Sequence, residues 1–476
     1  MTLTTRCLAL ALITGIGLPS QAADKPVTRP NIVLIVSDDH SVPHLGAYGF
    51  PVPTPNFDRF AAAGMTFNRM FTTAPQCAPS RASFATGRSS VAVQASRFAA
   101  GVPREIEMFP QILRREAGYY TGIIRRAHHL DGWTNAANTL IQGIWKKHNI
   151  PSVAERFDRV DMGGDYRQTA SKIDAFFAQA PKDRPFFLWV NFNDPHHPWN
   201  APAVVAPAKL PLPPDWPDTP EMRADFGRYL DEIVRMDTEF QVVLDKIEAR
   251  GVTAHTIVIF VGDNGLALPR GKGSLYDRGI NVPLLVRWPG HIAPGSRSSA
   301  LVSGEDFAPT LLEAAGLPVP AKITGRSILP LLTGDPAYRP REHIFAMRGV
   351  HGSPVFDENA RSNDYDLSRA IRSDRYKLIL NYTPWMLYRP VDSYNDPGWK
   401  GISAAHTART LAAPFDRLYF GTPRPIVELY DLQADPGEMH NLAGNPAYAE
   451  IEHALKVALT EKMIIDFDYL PLPLCE

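Results

Sequence analysis

Apolar residues follow two alternating patterns along this chain. Short runs rich in β-branched and aromatic residues alternate with longer stretches in which apolar residues recur at helical spacing. The short runs predict strands at 31–37, 120–124, 186–192, 256–262 and 283–288. This alternation favours an α/β fold, in which helices flank a central and mostly parallel sheet.

The longer stretches predict helices at 168–179, 221–250 and 307–315, and Gly251 is placed to end the second of them. Segment 198–220 is so rich in proline that we expect an irregular excursion there. Because it follows a candidate site, it is either a rim or lid of that site or a passive surface loop.

The pattern changes beyond residue 340. Runs at 344–347, 368–380 and 427–432 predict an antiparallel sheet, and a helix is expected at 448–463. We therefore divide the chain into a large domain at 23–340 and a smaller C-terminal α+β domain at 341–476.

The first 22 residues have the pattern of an export signal. Arg6 precedes an apolar run, and Ser20-Gln21-Ala22 provides a small-residue cleavage site. The run is shorter than a membrane span needs, so we expect a periplasmic or secreted protein without stable membrane insertion, a short anchor being the alternative.

Composition narrows the choice of partners. The chain has 476 residues, of which 45% are hydrophobic and 21% charged, as in soluble globular proteins. Its formal net charge of −1 gives no electrostatic case for nucleic acid or an anionic membrane. Anion recognition must therefore be local, and a homodimer is compatible with this composition.

Polar residues follow three predicted strands where the strands end. Asp38-Asp39 follows the first, Asp194-Pro195-His196 the one at 186–192, and Asp263-Asn264 the one at 256–262. Ligands of open α/β sheets bind at this edge. Clustered carboxylates repel each other unless a cation lies among them, and all-oxygen ligands favour Ca²⁺ or Mg²⁺ over zinc.

A second candidate group is Cys77, in the run CAPSR. Pro79 suits the first turn of a helix, so Cys77 would lie just before a helix start, whose free N–H groups attract an oxyanion. Arg81, one turn further on, adds a planar set of donors suited to a tetrahedral anion.

These motifs together resemble the type I sulfatases. The chain contains their Cys-x-Pro-x-Arg signature, the opening RPNIVLIVSDDH, the later strand IVIFVGDNG and the C-terminal run ELYDLQADPGEMHNLA. The resemblance implies an alkaline-phosphatase-like fold and hydrolysis of a sulfated saccharide. It also implies that a maturation enzyme converts Cys77 to formylglycine, whose hydrate attacks the sulfate and later expels it.

The resemblance assigns roles to individual residues. It implies that the cation, usually Ca²⁺, is bound by Asp38, Asp39, Cys77, Asp263 and Asn264. The catalytic residues it implies are Arg81, Arg126, His128, His196 and Lys272. Arg81 would orient the formylglycine hydrate, His128 would be the base of the expulsion step, and His196 and Lys272 would contact the sulfate and assist the leaving group.

The sequence departs from the family pattern in one place. Where sulfatases commonly have Gly-Lys-x-His, this chain has Arg125-Arg126-Ala127-His128. Arg126 would replace the lysine and keep its charge, or the two arginines are a solvated basic pair. His40, His44, His129, His197 and His351 receive no role.

Several alternatives remain open at this point. Strings such as RPFFLWVNFNDPH and DNGLALPRGKGSLY resemble the heparan N-sulfatase branch, with a carbohydrate O-sulfatase or arylsulfatase as the alternative substrate class. A phosphomonoester or phosphonate hydrolase of the same fold and a non-catalytic carbohydrate-binding protein are the other candidates. A disulfide between Cys77 and Cys475 would exclude the formylglycine interpretation.

Overall fold

The computed structural model describes residue 2 and the ranges 29–97, 101–131, 139–150, 152–351 and 365–474. The predicted signal peptide, apart from Thr2, and Cys475 lie outside these ranges. Cys77 is a free, buried cysteine. The described chain forms two sheets, one large and one small.

The large sheet contains nine strands within the described residues. They are β1 (Asn31–Ser37), β2 (Met65–Phe71), β3 (Tyr120–Ile124), β4 (Arg159–Asp161), β5 (Phe186–Asn191), β6 (Thr256–Gly262), β7 (Asn281–Arg287), β8 (Ser296–Ser298) and β9 (Val302–Ser303). Their order is β4-β3-β5-β1-β6-β7-β2-β8, and β9 pairs with β2. Only β7 is antiparallel to its neighbours, β6 and β2, so the predicted mostly parallel sheet is confirmed.

Helices cover both faces of this sheet. The helices of the described chain are α1 (Pro55–Ala62), α2 (Cys77–Thr86), α3 (Phe109–Ala117), α4 (His128–Asp131), α5 (Thr139–His148), α6 (Val153–Arg156), α7 (Thr169–Gln179), α8 (Pro220–Ala249), α9 (Asp277–Ile280), α10 (Phe307–Ala314), α11 (Leu329–Leu332), α12 (Pro397–Thr407), α13 (Ala413–Phe420) and α14 (Ala449–Ile465). The predicted long helix is α8, and Thr219 caps it by accepting a hydrogen bond from the Met222 N–H at 3.2 Å.

Strand β1 shows why its hydrophobic run is continuous. Ile32 and Leu34 pack into the core on one face, and Val33 and Ile35 pack into the core on the other. A strand buried on both faces needs apolar residues at every position, as parallel sheets covered by helices require. On the second face, Phe57 of α1 stacks at 4.2 Å on a phenylalanine of α8.

The small sheet is antiparallel, as predicted, in the order β10 (Ile344–Val350), β11 (Tyr365–Arg372), β12 (Tyr376–Asn381) and β13 (Val427–Asp431). Helix α14 packs on it. The prediction of one strand at 368–380 is wrong. The polar residues after Arg372 form a turn closed by the Ser373 N–H and the Tyr376 carbonyl at 2.8 Å, so the run folds into a hairpin. The domain boundary at 340 stays a prediction.

Segment 198–220 is irregular, as predicted, and contains a 3₁₀ turn at Pro207–Lys209. Two acidic residues of α8 accept hydrogen bonds from its backbone. Asp231 accepts hydrogen bonds from the backbone of Val204 at 2.8 Å, and Glu232 accepts one from the backbone of Ala201 at 2.6 Å. The segment is thus tied to the core, which suits a fixed rim better than a free lid.

None of the helices in the described ranges combines the length and the apolar character that crossing a membrane requires.

Candidate active site

Neighbouring strands β1 and β6 bring two acidic pairs together at the carboxyl edge of the sheet. Ser37 lies opposite Gly262 in the ladder, so Asp38-Asp39 and Asp263-Asn264 leave the sheet side by side. The Asp39 N–H donates to Asp263 Oδ1 at 3.0 Å, and Asn264 Nδ2 donates to Asp39 Oδ1 at 2.8 Å. All four side chains are fully buried.

Helix α2 places Cys77 above this cluster. The helix begins at Cys77 itself, whereas the sequence analysis predicted that Cys77 lies just before the helix start. Its Sγ lies 3.2 Å from Asp38 Oδ1 and 3.9 Å from Asp39 Oδ1. Ser80 ties the helix to the sheet by donating to the Asp263 carbonyl at 2.5 Å. Burial, reinforced by Asp38, raises the pKa of the Cys77 thiol well above its ordinary value.

Arg81 connects the acidic residues from one side. Its Nε donates to Asp263 Oδ2 at 2.9 Å, and a terminal nitrogen lies 3.2 Å from Asp38 Oδ2. The other terminal nitrogen donates to Asn191 Oδ1. Asn191 ends β5 and was missed by the sequence reasoning, although its position at a strand end next to the Asp194 motif was a usable signal.

The two neighbouring arginines after β3 have different environments. Arg125 is buried and forms an ion pair with Glu239 of α8. Arg126 turns to the cluster, where its Nε lies 3.1 Å from Asp38 Oδ2. Both residues have positive φ, 58° and 46°. The two arginines are therefore not a solvated pair, and the replacement of the family's lysine by Arg126 stays a prediction.

Lys272 and His196 both lie beside Asp39 of the cluster. Lys272 Nζ is 2.9 Å from Asp39 Oδ1 and 2.6 Å from Asp392 Oδ2. His196 Nε2 is 3.7 Å from Asp39 Oδ2 and 3.6 Å from Asp392 Oδ2. Asp392 comes from the segment between β12 and α12, and no sequence motif pointed to it.

The histidines after β3 lie at the start of α4. Burial, followed by the nearby charges of Arg126 and Arg81, lowers the pKa of His128 to about 4. Its neighbour His129, which received no role from the sequence motifs, has a ring nitrogen within 4.8 Å of both Cys77 Sγ and an Asp38 oxygen. Burial lowers the pKa of His129 as well, so both imidazoles are neutral at neutral pH.

Other candidates lie away from the cluster. The carboxylate of Asp194 receives two hydrogen bonds from Arg235, at 2.7 and 2.8 Å, so this third strand end contributes no carboxylate to the cluster. His44 packs edge-on against Phe226 in the core, and burial lowers the pKa of His40 to about 3. These two histidines are structural.

Two acids of the cluster are harder to ionise than an ordinary aspartate. Burial raises the pKa of both Asp39 and Asp263 to about 6 despite their ion pairs. Burial also opposes ionisation of Asp38, but surrounding positive charges, Arg126 foremost, hold its pKa well below the ordinary value. A divalent cation among these carboxylates would favour the ionised form of all three.

The donor atoms suit such a cation. One ligand atom from each of Asp38, Asp39, Cys77 and Asp263 lies within 4.8 Å of the others. Asn264 Oδ1 is buried and has no hydrogen-bond partner in the described part of the chain, and the amide nitrogen of the same side chain contacts Asp39 Oδ1. The oxygens of Asp38, Asp39, Asp263 and Asn264 fit a hard divalent cation, which the sulfur of an unmodified cysteine does not.

The carboxyl edge of the mostly parallel sheet thus carries a buried acidic cluster, three cationic side chains and a cysteine at a helix start. This arrangement suits a hydrolytic enzyme that acts on a tetrahedral anion. Comparison with known sequences gives the family. The sequence model named Sulfatase matches residues 30–317, and the model named N-sulphoglucosamine sulphohydrolase, C-terminal, matches residues 271–413. The chain belongs to the sulfatase family, whose members hydrolyse sulfate esters and sulfamates.

Individual relatives agree with this assignment. The chain is 29% identical to human N-sulphoglucosamine sulphohydrolase, over 96% of this chain and 92% of the relative. It is also 29% identical to human arylsulfatase A, over 95% of this chain and 89% of the relative. The solved structure of BT4656 in complex with its substrate D-glucosamine-2-N,6-O-disulfate has the same fold, with a TM-score of 0.66 and 20% identity over 94% of this chain and 100% of that chain.

The geometry predicts that Arg81 is required for stability. In Arg81→Met, Asp38 and Asp263 stay buried without their shared guanidinium, so we expect unfolding in urea at pH 8 with chelator to cost about 3 to 5 kcal/mol less. Arg115→Met is the control. Its side chain is 56% exposed in surface ion pairs, and its loss should change stability by no more than about 1 kcal/mol. Equal losses in the two variants would contradict this account of the cluster.

Proposed function

We propose that this sulfatase removes the N-linked sulfate of a glucosamine residue in a sulfated saccharide. The observation that favours an N-sulfate is the match of residues 271–413 to the C-terminal model of N-sulphoglucosamine sulphohydrolase. The matched range contains Lys272, which lies in the cluster. The similarity to arylsulfatase A supports an O-sulfate as the second candidate.

We further propose that Cys77 is converted to formylglycine and that Asp38, Asp39, Asp263 and Asn264 bind Ca²⁺ beside it. The hydrated aldehyde would supply the nucleophilic hydroxyl, and the cation would balance negative charge as it shifts in the transition state. Cys77 is fully buried in the folded chain. The maturation enzyme must therefore act before folding, and before the chain is exported by its predicted signal peptide to the periplasm or the exterior.

The side chains around Cys77 would orient the group at position 77 and bind the sulfate. Arg81 is held by Asp38 and Asp263, so it can orient the group at position 77. Arg126 pairs with Asp38 and Lys272 pairs with Asp39, so both cations lie at the cluster and would bind the sulfate oxygens. Two such contacts would hold the sulfur near the helix start.

Proton transfer falls to the histidines. His128 is neutral at neutral pH, which is the form that can accept a proton from position 77. Burial and the charge of Lys272 lower the pKa of His196 to about 4. The negative charge of a bound sulfate would raise that pKa, so His196 becomes a proton donor to the leaving group when substrate is present.

Sulfate release from a panel of substrates tests the function. We expect N-sulfoglucosamine to be hydrolysed with a higher kcat/KM than O-sulfated glucosamine or an aryl sulfate, and no phosphate to be released from an aryl phosphate. A preference for an O-sulfate would assign the protein to the second candidate function. Release of phosphate alone would contradict both, and inactivity of protein shown to contain formylglycine would favour a carbohydrate-binding role.

Calcium affinity should depend on pH in a defined direction. Without the cation, the pKa values of Asp39 and Asp263 in the folded protein, about 6, lie above the ordinary value of 3.8. The folded state then holds extra protons, so its stability falls as pH rises from about 4 to about 6, and calcium must displace those protons.

We therefore expect the Kd for Ca²⁺, measured by calorimetry on chelator-treated protein, to fall about tenfold or more between pH 5 and pH 6 and to level off above pH 7. Asp263→Asn should bind calcium more weakly and with a smaller pH dependence. A Kd that does not change over this range would contradict the assignment of these carboxylates as ligands.

A further inference from the structure

Asp392 is an acidic residue at the mouth of a site that must bind an anion. It lies between β12 and α12, far along the chain from the acidic pairs that follow β1 and β6. Its Oδ2 is 2.6 Å from Lys272 Nζ and 3.6 Å from His196 Nε2. Its side chain is 29% exposed, whereas that of Asp39, the other carboxylate on Lys272, is buried. Asp392 is therefore the acid on this side of the site that an incoming saccharide can reach.

The local backbone holds Asp392 in place. Asp392 has a φ of 66°, in the left-handed region that non-glycine residues rarely occupy. The preceding residue, Val391, packs against Gly273 so closely that a Cβ there would lie 2.4 Å from Val391 Cγ2. The segment carrying Asp392 thus rests directly on the loop carrying Lys272. Strain of this kind persists where the surrounding structure enforces it, commonly at functional sites.

The charge of Asp392 is unfavourable for binding sulfate alone. It takes up part of the positive charge of Lys272 and would repel a sulfate oxygen placed beside it. A carboxylate in this place is useful if the substrate brings a hydrogen-bond donor or a positive charge to it. A sulfamate has an N–H next to the sulfur, and its leaving group becomes a cation.

The overall reaction makes this difference explicit. For a sulfamate, R–NH–SO₃⁻ + H₂O gives R–NH₃⁺ + SO₄²⁻: the S–N bond breaks, an S–O bond to the oxygen of water forms, and both protons of water go to nitrogen. For a sulfate ester, R–O–SO₃⁻ + H₂O gives R–OH + SO₄²⁻ + H⁺, and the organic product is neutral. A carboxylate beside the leaving atom therefore stabilises only the first product by an ion pair.

We propose that Asp392 is a specificity-determining residue that accepts a hydrogen bond from the substrate nitrogen and pairs with the ammonium group of the product. The proposal rests on the N-sulfate function proposed above. Asp392 would make the enzyme prefer an N-sulfate over an O-sulfate, while Lys272 and Arg126 bind the sulfate of either.

The same segment provides a matched control. Asp396 lies four residues further on, and its Oδ2 is 2.8 Å from Nε2 of His197, next to His196. Like Asp392, it is an aspartate of this segment that contacts a histidine. Within the described part of the chain, its side chain contacts neither Lys272 nor the acidic cluster. Asp396→Asn thus reports the effect of disturbing the segment, and Asp392→Asn reports the loss of the carboxylate at the site.

The experiment compares kcat/KM for N-sulfoglucosamine and for an O-sulfated substrate, 4-nitrophenyl sulfate, in the wild type, Asp392→Asn and Asp396→Asn. In Asp392→Asn we expect the value for N-sulfoglucosamine to fall by about 10- to 100-fold, which corresponds to the loss of a hydrogen bond to a charged group. The value for the aryl sulfate should not fall, because this substrate has no N–H for Asp392 to bind and the repulsion between the carboxylate and the sulfate is removed. In Asp396→Asn both values should change by the same factor. Equal losses on both substrates in Asp392→Asn, or no loss on either, would overturn the proposal.

Product binding gives a second readout that a structural role would not move. Glucosamine should bind the wild type at pH 7 about tenfold or more tightly than it binds Asp392→Asn, and N-acetylglucosamine, which carries no charge, should bind both equally. If the asparagine variant does not fold, Asp392→Glu serves instead, and it should keep the preference for glucosamine over N-acetylglucosamine. Equal binding of the two sugars to the wild type would overturn the role of Asp392. A wild type that is active on the aryl sulfate but not on N-sulfoglucosamine would overturn the proposed function itself.

Discussion

The balance of charge at the carboxyl edge of the large sheet is the constraint on which the rest of the site depends. Asp38, Asp39 and Asp263 are buried within a few ångströms of one another, which is costly unless positive charge lies among them. Arg81, Arg126 and Lys272 supply positive charge through ion pairs with these acids. Burial still raises the pKa of Asp39 and Asp263. The divalent cation that we propose would favour their ionised forms and would add positive charge for a bound sulfate.

The fold creates this arrangement through a small number of close approaches. Pairing of β1 with β6 sets the two acidic pairs side by side, and α2 begins directly over them. The backbone after Asn264 passes so close to the segment at Arg278 that a Cβ at Gly265 would lie 1.9 Å from the Arg278 carbonyl oxygen, which explains the glycine. The C-terminal part of the chain adds Asp392 to the same edge. The site is thus shared by the two sheets, and the small sheet contributes to it through a connecting segment.

The elements with a clear local sequence pattern were predicted from the sequence. The apolar runs of β1 and β6, the acidic residues that follow them and the long helix α8 were all predicted. The hairpin of β11 and β12 was missed because its polar turn is short and its two strands share one apolar pattern. Asn191, His129 and Asp392 gained their positions from contacts with residues distant in the sequence, which no local pattern encodes. Arg125 and Arg126 look alike in the sequence, and their contacts in the folded chain, with Glu239 and with Asp38, distinguish them.

In the mechanism that we propose, Cys77 acts as formylglycine and not as a thiol. Mass spectrometry of the peptide containing Cys77, taken from protein that releases sulfate from N-sulfoglucosamine, distinguishes the two forms. Conversion replaces sulfur and two hydrogens by one oxygen, so we predict a peptide about 18 Da lighter than the encoded sequence. The fraction of converted peptide should rise in proportion to specific activity across preparations. Full activity in protein whose Cys77 is an intact thiol would contradict the account.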